Sequence, residues 1–176
     1  MEAARIVIAC VASAVAYGIV HDQITARICV EYFTIGHPLI VPTTSPTVLG
    51  LLWGVLATWW VGLILGIGLA VAARAGRYPK RDIRQLRPPV VRLLLTMAAS
   101  AAVSGVVGFA AASNGWVYLD EEVASALPPS ARLGFLVDLW IHMASYLAAF
   151  IGGIILIIGT WRGRRREVER LSAVEG

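Results

Sequence analysis

Residues 47–73 read TVLGLLWGVLATWWVGLILGIGLAVAA, an apolar stretch without a charged side chain. A helix needs roughly 20 mostly apolar residues to cross a bilayer. Three further stretches meet that requirement, at about 4–20, 90–112 and 133–160. Only 15% of the residues are charged, whereas a soluble domain carries about 25%. We therefore expect an all-α fold, a single transmembrane domain over residues 1–176 in which four membrane-spanning helices form a bundle.

Proline marks the beginning or end of several expected helices. Ser45 is predicted to cap the second span, with Pro46 at its first helical position. Pro88 and Pro89 are expected to open the third span in the same way. A short surface helix is predicted within residues 120–127, with its acidic side chains in contact with solvent.

Positive charge is distributed unevenly between the connections. Seven lysine or arginine residues lie in 74–92 and five in the tail at 161–176, whereas 21–46 and 113–132 hold one each. Cytoplasmic loops of membrane proteins retain positive charge, so both termini and the loop at 74–89 are predicted to be cytoplasmic. This topology explains the net charge of +4. We expect the lipid bilayer as a partner, and no nucleic acid.

The first span has an alternative interpretation. Its apolar run contains Ala14-Val15-Ala16, which resembles the small-residue cleavage site of a secretory signal peptide. Cleavage there would leave three spans in the same orientation, so the charge distribution is compatible with both interpretations.

The second span carries a small residue at every fourth position from Gly50 to Ala70. Small residues at this spacing let two membrane helices approach each other closely. The series predicts tight helix packing. A glycine face left uncovered would bind a second copy of the chain or another membrane helix.

All three histidines lie near the expected outer boundary of the membrane, with acidic residues nearby. Asp138 and His142 are four residues apart and therefore share one face of the fourth span. An ionisable side chain at membrane depth costs about 3 kcal/mol unless it is paired or faces water. Imidazole nitrogen and carboxylate oxygen are suitable ligands for Zn, Fe or Mn. The candidate metal ligands are His21, Asp138 and His142, followed by Glu31 and His37.

The first span offers a polar partner for the Asp138/His142 face. Its polar stripe follows four-residue steps and comprises Ser13, Tyr17, His21 and Thr25. Packing of this stripe on the fourth span would bring His21 close to His142.

The end of the first helix is predicted at Gly36-His37-Pro38, a C-cap followed by a stop. A straight helix over residues 4–35 would be about 48 Å long, well beyond the hydrocarbon core. It must therefore project from the membrane or bend back, and bending would return Glu31 and His37 to the bundle.

Two catalytic hypotheses follow from these residues. A bound metal would support hydrolysis or oxidation, with Glu31 or Asp22 as proton acceptor. Alternatively, the chain is a haem or quinone redox subunit that uses His21 and His142 as axial ligands across two helices.

Two further hypotheses are non-catalytic. The chain could be an assembly or scaffold subunit whose glycine faces bind other membrane helices. The polar residues could also be structural only, as the charge pairs Asp138–His142 and Asp22–Arg27.

Two segments carry a resemblance to known sequences. They read YGIVHDQITAR at residues 17–27 and EYFTIGHP at residues 31–38, and they resemble a family of uncharacterised bacterial four-span integral membrane proteins. The likeness extends through Trp59-Trp60 and the Asp138/His142 span. It implies a multi-pass protein of the bacterial inner (plasma) membrane and carries no catalytic residue over.

Overall fold

The computed structural model describes residues 1–173, in which the regular structure is helical and no strand occurs. The helices are α1 (Glu2–Ile28), α2 (Val30–Thr34), α3 (Pro46–Leu56), α4 (Trp59–Arg74), α5 (Ile83–Ser113), α6 (Glu121–Ala126) and α7 (Arg132–Ser172). Four helical segments are long and apolar enough to cross a membrane, namely α1, α3 with α4, α5, and α7 with the short 3₁₀ turn before it. The expected all-α architecture with four apolar spans is confirmed.

The second span is not the single helix that the sequence predicts. It breaks at Ala57 and Thr58, between α3 and α4. The Thr58 hydroxyl donates to the carbonyl oxygen of Gly54 at 2.5 Å, and the Tyr146 hydroxyl donates to that of Ala57 at 3.1 Å. A break inside an apolar span is tolerated when side chains satisfy the freed backbone groups. These two hydroxyls therefore stabilise the break.

The third span begins earlier than predicted. α5 starts at Ile83, and Pro88 and Pro89 lie inside the helix rather than at its first turn. A capping box begins the helix instead, because Asp82 accepts from the backbone N–H of Gln85 at 3.0 Å while the Gln85 side chain accepts from that of Asp82 at 3.1 Å. Because α5 starts at Ile83, the loop before it is shorter than the predicted loop at 74–89.

The fourth span continues into the basic tail, because α7 runs from Arg132 to Ser172. Within the tail, Arg164 is fully buried. Its guanidinium donates to the carbonyl oxygens of Ala72, Pro79 (2.6 Å), Ala75 (2.8 Å) and Tyr78 (3.0 Å). Arg164 therefore holds the loop between α4 and α5 against α7.

The bundle consists of two closely packed pairs, α1 with α3/α4 and α5 with α7. In the first pair, a Cβ added to Gly54 would lie 2.6 Å from the Cα of Ile19, and one added to Gly62 would lie 2.8 Å from the Cα of Val11. The glycine series is therefore covered by α1. The two pairs contact each other mainly through α4 and α7, and less between α1 and α5.

Two further local features that the sequence predicts are present in the structure. The Ser45 side chain accepts from the backbone N–H of Val48, with Pro46 in the first turn of α3. The short surface helix is α6, and the acidic residues at 120–122 are exposed.

Candidate functional site

The connection between α1 and α2 returns the chain to the bundle. Cys29 is extended, with φ −148° and ψ 104°, and its backbone N–H donates to the carbonyl oxygen of Thr25. After this bend, α2 packs against α7, and the Tyr32 ring stacks on His142 with 4.5 Å between ring centroids. The first helix was expected either to project from the membrane or to bend back, and the structure shows that the chain bends back.

The helix α2 ends without a glycine in the left-handed backbone conformation. Ile35 is the C-cap, and Gly36 is not among the glycines with positive φ. A Cβ on Gly36 would lie 2.5 Å from the carbonyl oxygen of Tyr32 and 3.1 Å from the Phe135 ring. Glycine is therefore required at residue 36 because a side chain would collide with the backbone carbonyl of Tyr32, rather than for its backbone angles.

Three polar side chains meet where α1 crosses α7, and we call them the three-residue cluster: His21, Asp22 and His142. One potential metal-ligand atom from each lies within 4.8 Å of the others. The imidazoles of His21 and His142 contact edge to face, with 4.8 Å between centroids. His142 Nε2 lies 3.4 Å from Asp22 Oδ1. The predicted approach of His21 to His142 is thus present.

A backbone hydrogen bond orients the His142 imidazole. Its Nδ1 donates to the carbonyl oxygen of Asp138, one turn earlier on α7, at 2.7 Å. In the neutral imidazole, Nε2 then carries the lone pair, and this atom faces the carboxylate of Asp22. Two acceptor atoms face each other at 3.4 Å. A proton or a metal cation between them would satisfy both.

The site contains buried polar atoms without a hydrogen-bond partner among the described residues: His21 Nε2 and both carboxylate oxygens of Asp138. Asp138 is fully buried. The backbone N–H of Cys29 lies close to this carboxylate but donates its hydrogen bond to Thr25. A buried carboxylate without a donor is costly as an anion. The site therefore contains acceptor atoms that can still bind protons or a cation.

The other predicted site residues lie around the cluster rather than in it. Glu31 accepts a hydrogen bond from the Cys29 thiol, with 3.4 Å between Oε2 and Sγ. His37 donates from Nδ1 to the carbonyl oxygen of Tyr32 at 2.9 Å and contacts the Trp53 ring at 4.4 Å. Burial lowers the pKa of His37, only partly opposed by this hydrogen bond. Burial also raises the pKa of the Cys29 thiol to about 11, so Cys29 offers no thiolate at neutral pH.

The two charge pairs considered from the sequence do not form. Within residues 1–173, the Asp138 carboxylate has no hydrogen-bond partner, and it is the backbone oxygen of Asp138 that accepts from the imidazole of His142. Arg27 donates to Gln23 at 2.8 Å and to Thr47 at 2.9 Å, and not to Asp22. Asp22 turns toward His142 instead.

The predicted polar stripe continues below the cluster. The Tyr17 hydroxyl hydrogen-bonds to that of Ser145 at 2.9 Å, and the Tyr17 ring stacks on His21 at 5.6 Å. Ser145 was not predicted from the sequence. It lies three residues after His142, on the same face of α7, and this spacing is the signal that could have identified it.

No protein-family description, curated protein or solved structure matches this chain. The resemblance to bacterial four-span membrane proteins stays a prediction.

Proposed function

We propose that this chain is a multi-pass protein of the bacterial inner membrane whose three-residue cluster binds one divalent transition metal ion near the periplasmic face. The uneven distribution of positive charge supports this orientation, since the loop after α4 and the tail of α7 carry most of the arginines. The cluster would then lie toward the periplasmic end of α1 and α7.

One observation carries the proposal: Asp22 Oδ1 and His142 Nε2 face each other as acceptors at 3.4 Å. Two ligands about 2.0–2.1 Å from a tetrahedral Zn²⁺ lie about 3.3 Å apart. The observed separation therefore fits ligands of one ion. His21 offers a third potential ligand atom within 4.8 Å of these two, and its Nε2 has no hydrogen-bond partner among the described residues.

The donor set also fits a transition metal. Two imidazoles and one carboxylate suit Zn, Fe or Mn, and three protein ligands leave a position open for water or substrate. The Nδ1 hydrogen bond of His142 to a backbone carbonyl is the arrangement that normally orients a metal-binding histidine. Zinc would supply hydrolytic chemistry, whereas iron or manganese would supply redox chemistry. Asp138, one turn before His142 on α7, adds a further carboxyl group close to the cluster.

The contact between the imidazoles favours a single ion over the haem alternative. A porphyrin needs a gap between its two axial ligands, whereas the His21 and His142 rings touch edge to face at 4.8 Å. The scaffold alternative is less supported than the sequence suggested, because α1 covers the glycine series of α3/α4.

The test is elemental analysis of the purified protein by plasma mass spectrometry. We expect about one Zn, Fe or Mn per chain in the wild type and a loss of at least tenfold in His142→Ala and Asp22→Asn. His37→Ala is the matched control, because His37 lies outside the cluster and its loss leaves the metal in place. Circular dichroism and gel filtration verify folding of each variant. Unchanged metal content in a folded His142→Ala protein contradicts the proposal, and a Soret band supports haem instead.

A further inference from the structure

A narrow cavity of about 90 Å³ begins at the three-residue cluster and extends between the two helix pairs. Its far end is lined by Cys10 of α1 and Ile157 of α7. Cys10 lies eleven residues from His21, which corresponds to about 16 Å along a helix at 1.5 Å per residue. The cavity is therefore much longer than it is wide.

The wall of the cavity is apolar away from the cluster. The lining side chains from α4, α5 and α7 include Leu65, Leu69, Leu93, Met97, Ala149 and Leu156. Most of its polar groups lie toward the cluster, where Tyr17, Ser145 and Tyr146 join it, while Ser13 lies about two turns from His21 along α1. The cavity is thus amphipathic along its length, with one polar end and a long apolar body.

The shape of the cavity selects its occupant. A compact apolar cavity of about 150 Å³ holds a benzene molecule. About 90 Å³ distributed over some 16 Å of helix is too narrow for a ring system and suits one unbranched hydrocarbon chain. α1 and α5 are in sparse contact, so a hydrocarbon chain would enter from the bilayer between them.

The charge at the polar end selects the head group. Without a metal, Asp22 would repel an anionic head group. A divalent ion held by the cluster would attract an anionic head group instead, because two neutral imidazoles and one carboxylate leave one of its positive charges uncompensated. A single carboxylate ligand in the open position would neutralise that charge.

We propose that the cavity binds a long-chain fatty acid, with its hydrocarbon chain between the helix pairs and its carboxylate on the metal ion of the three-residue cluster. This inference rests on the proposed function, because the head group needs the ion. It assigns the site a substrate class, a single-chain lipid with a carboxylate head.

The test measures retention of tritiated palmitic acid by the full-length protein in phospholipid nanodiscs, with empty nanodiscs as background. Zn²⁺-loaded wild type is expected to bind about one palmitate, and removal of the metal to weaken binding at least tenfold. Hexadecan-1-ol has the same chain without the carboxylate and is expected to compete at least tenfold less well. Equal competition by the alcohol overturns the assigned head group.

Cavity-filling variants test the position of the chain. Ala149→Leu and Ser13→Leu place extra atoms in the cavity and are expected to weaken palmitate binding at least tenfold while the metal content stays near one per chain. Gly159→Leu is the control on α7, because a Cβ there has open space, and binding is expected to be unchanged. Full palmitate binding by either folded cavity variant overturns the inference. A wild type that binds Zn²⁺ but no palmitate refutes this inference alone, whereas one that binds no metal refutes the proposed function.

Discussion

Substitution of Gly54 by alanine tests whether the close packing of α3 on α1 positions the site. The added Cβ would lie 2.6 Å from both the Cα and the N of Ile19, and 2.8 Å from the carbonyl carbon of Gly18. These are backbone atoms, so no side-chain rotation relieves the contact. An ordinary separation of 3.4 Å requires the helices to part by 3.4 − 2.6, or about 0.8 Å.

The cost follows from this displacement. Overpacking a close interface costs about 1–3 kcal/mol, and a contact with backbone lies at the upper end of that range. Alanine recovers about 1 kcal/mol of helix propensity relative to glycine, so we expect a net loss of about 2 kcal/mol. Asp22 lies one turn further along α1 than Gly18. A shift of about 0.8 Å in α1 exceeds the tolerance of about 0.5 Å within which a binding site must be held. The variant is therefore expected to disturb the 3.4 Å Asp22–His142 separation and to weaken metal binding at least tenfold.

The assay is unfolding in mixed micelles with increasing dodecyl sulfate, followed by circular dichroism and combined with metal analysis. Gly159→Ala is the matched control, because nothing lies within 4 Å of its added Cβ, and it is expected to be neutral or stabilising by up to about 1 kcal/mol. A Gly54→Ala protein as stable as the control, with full metal content, would refute the reasoning.

Three further perturbations test other parts of the structure. Tyr146→Phe removes the 3.1 Å hydrogen bond to the Ala57 carbonyl, and the same unfolding assay is expected to show a loss of about 1–3 kcal/mol; no loss would mean that this bond does not stabilise the break. Arg164→Gln leaves carbonyls of the α4–α5 loop without their donor, so limited proteolysis is expected to cut this loop faster, whereas the exposed Arg165→Gln changes nothing. Burial lowers the pKa of His37, so the unfolded chain binds more protons at this residue than the folded chain. The free energy of unfolding is therefore highest above about pH 6.5 and decreases as the pH falls below that value. His37→Gln is expected to be less sensitive to acid between pH 7.5 and 5, and an identical pH profile would contradict this assignment.

Much of the fold could be predicted because apolar length and helix spacing act locally. The four spans and the Ser45 cap follow from residues within a few turns of one another. The approach of His21 to His142 was predictable because each histidine lies on a polar face that four-residue spacing defines on its own helix. The early start of α5 also had a local signal, the Asp82-x-x-Gln85 capping box. The two prolines that follow obscured it.

The remaining features depend on contacts that are distant in sequence. No breaker residue lies at Ala57 or Thr58, and the hydroxyl that satisfies the Ala57 carbonyl comes from Tyr146, 89 residues later. Asp22 was expected either as a proton acceptor or as the charge partner of Arg27. It joins the imidazoles because α7 brings His142 within 3.4 Å of its carboxylate, and that approach is a property of helix packing.

X-ray absorption spectroscopy of the Zn²⁺-loaded protein tests the central claim most directly, because the fine structure counts imidazole and sulfur ligands around the ion. We expect two imidazoles with oxygen in the remaining positions, at about 2.0–2.2 Å, and one imidazole in His142→Gln. Thiolate sulfur at about 2.3 Å, or a wild-type ion without imidazole ligands, would contradict the assignment of the metal to His21, Asp22 and His142.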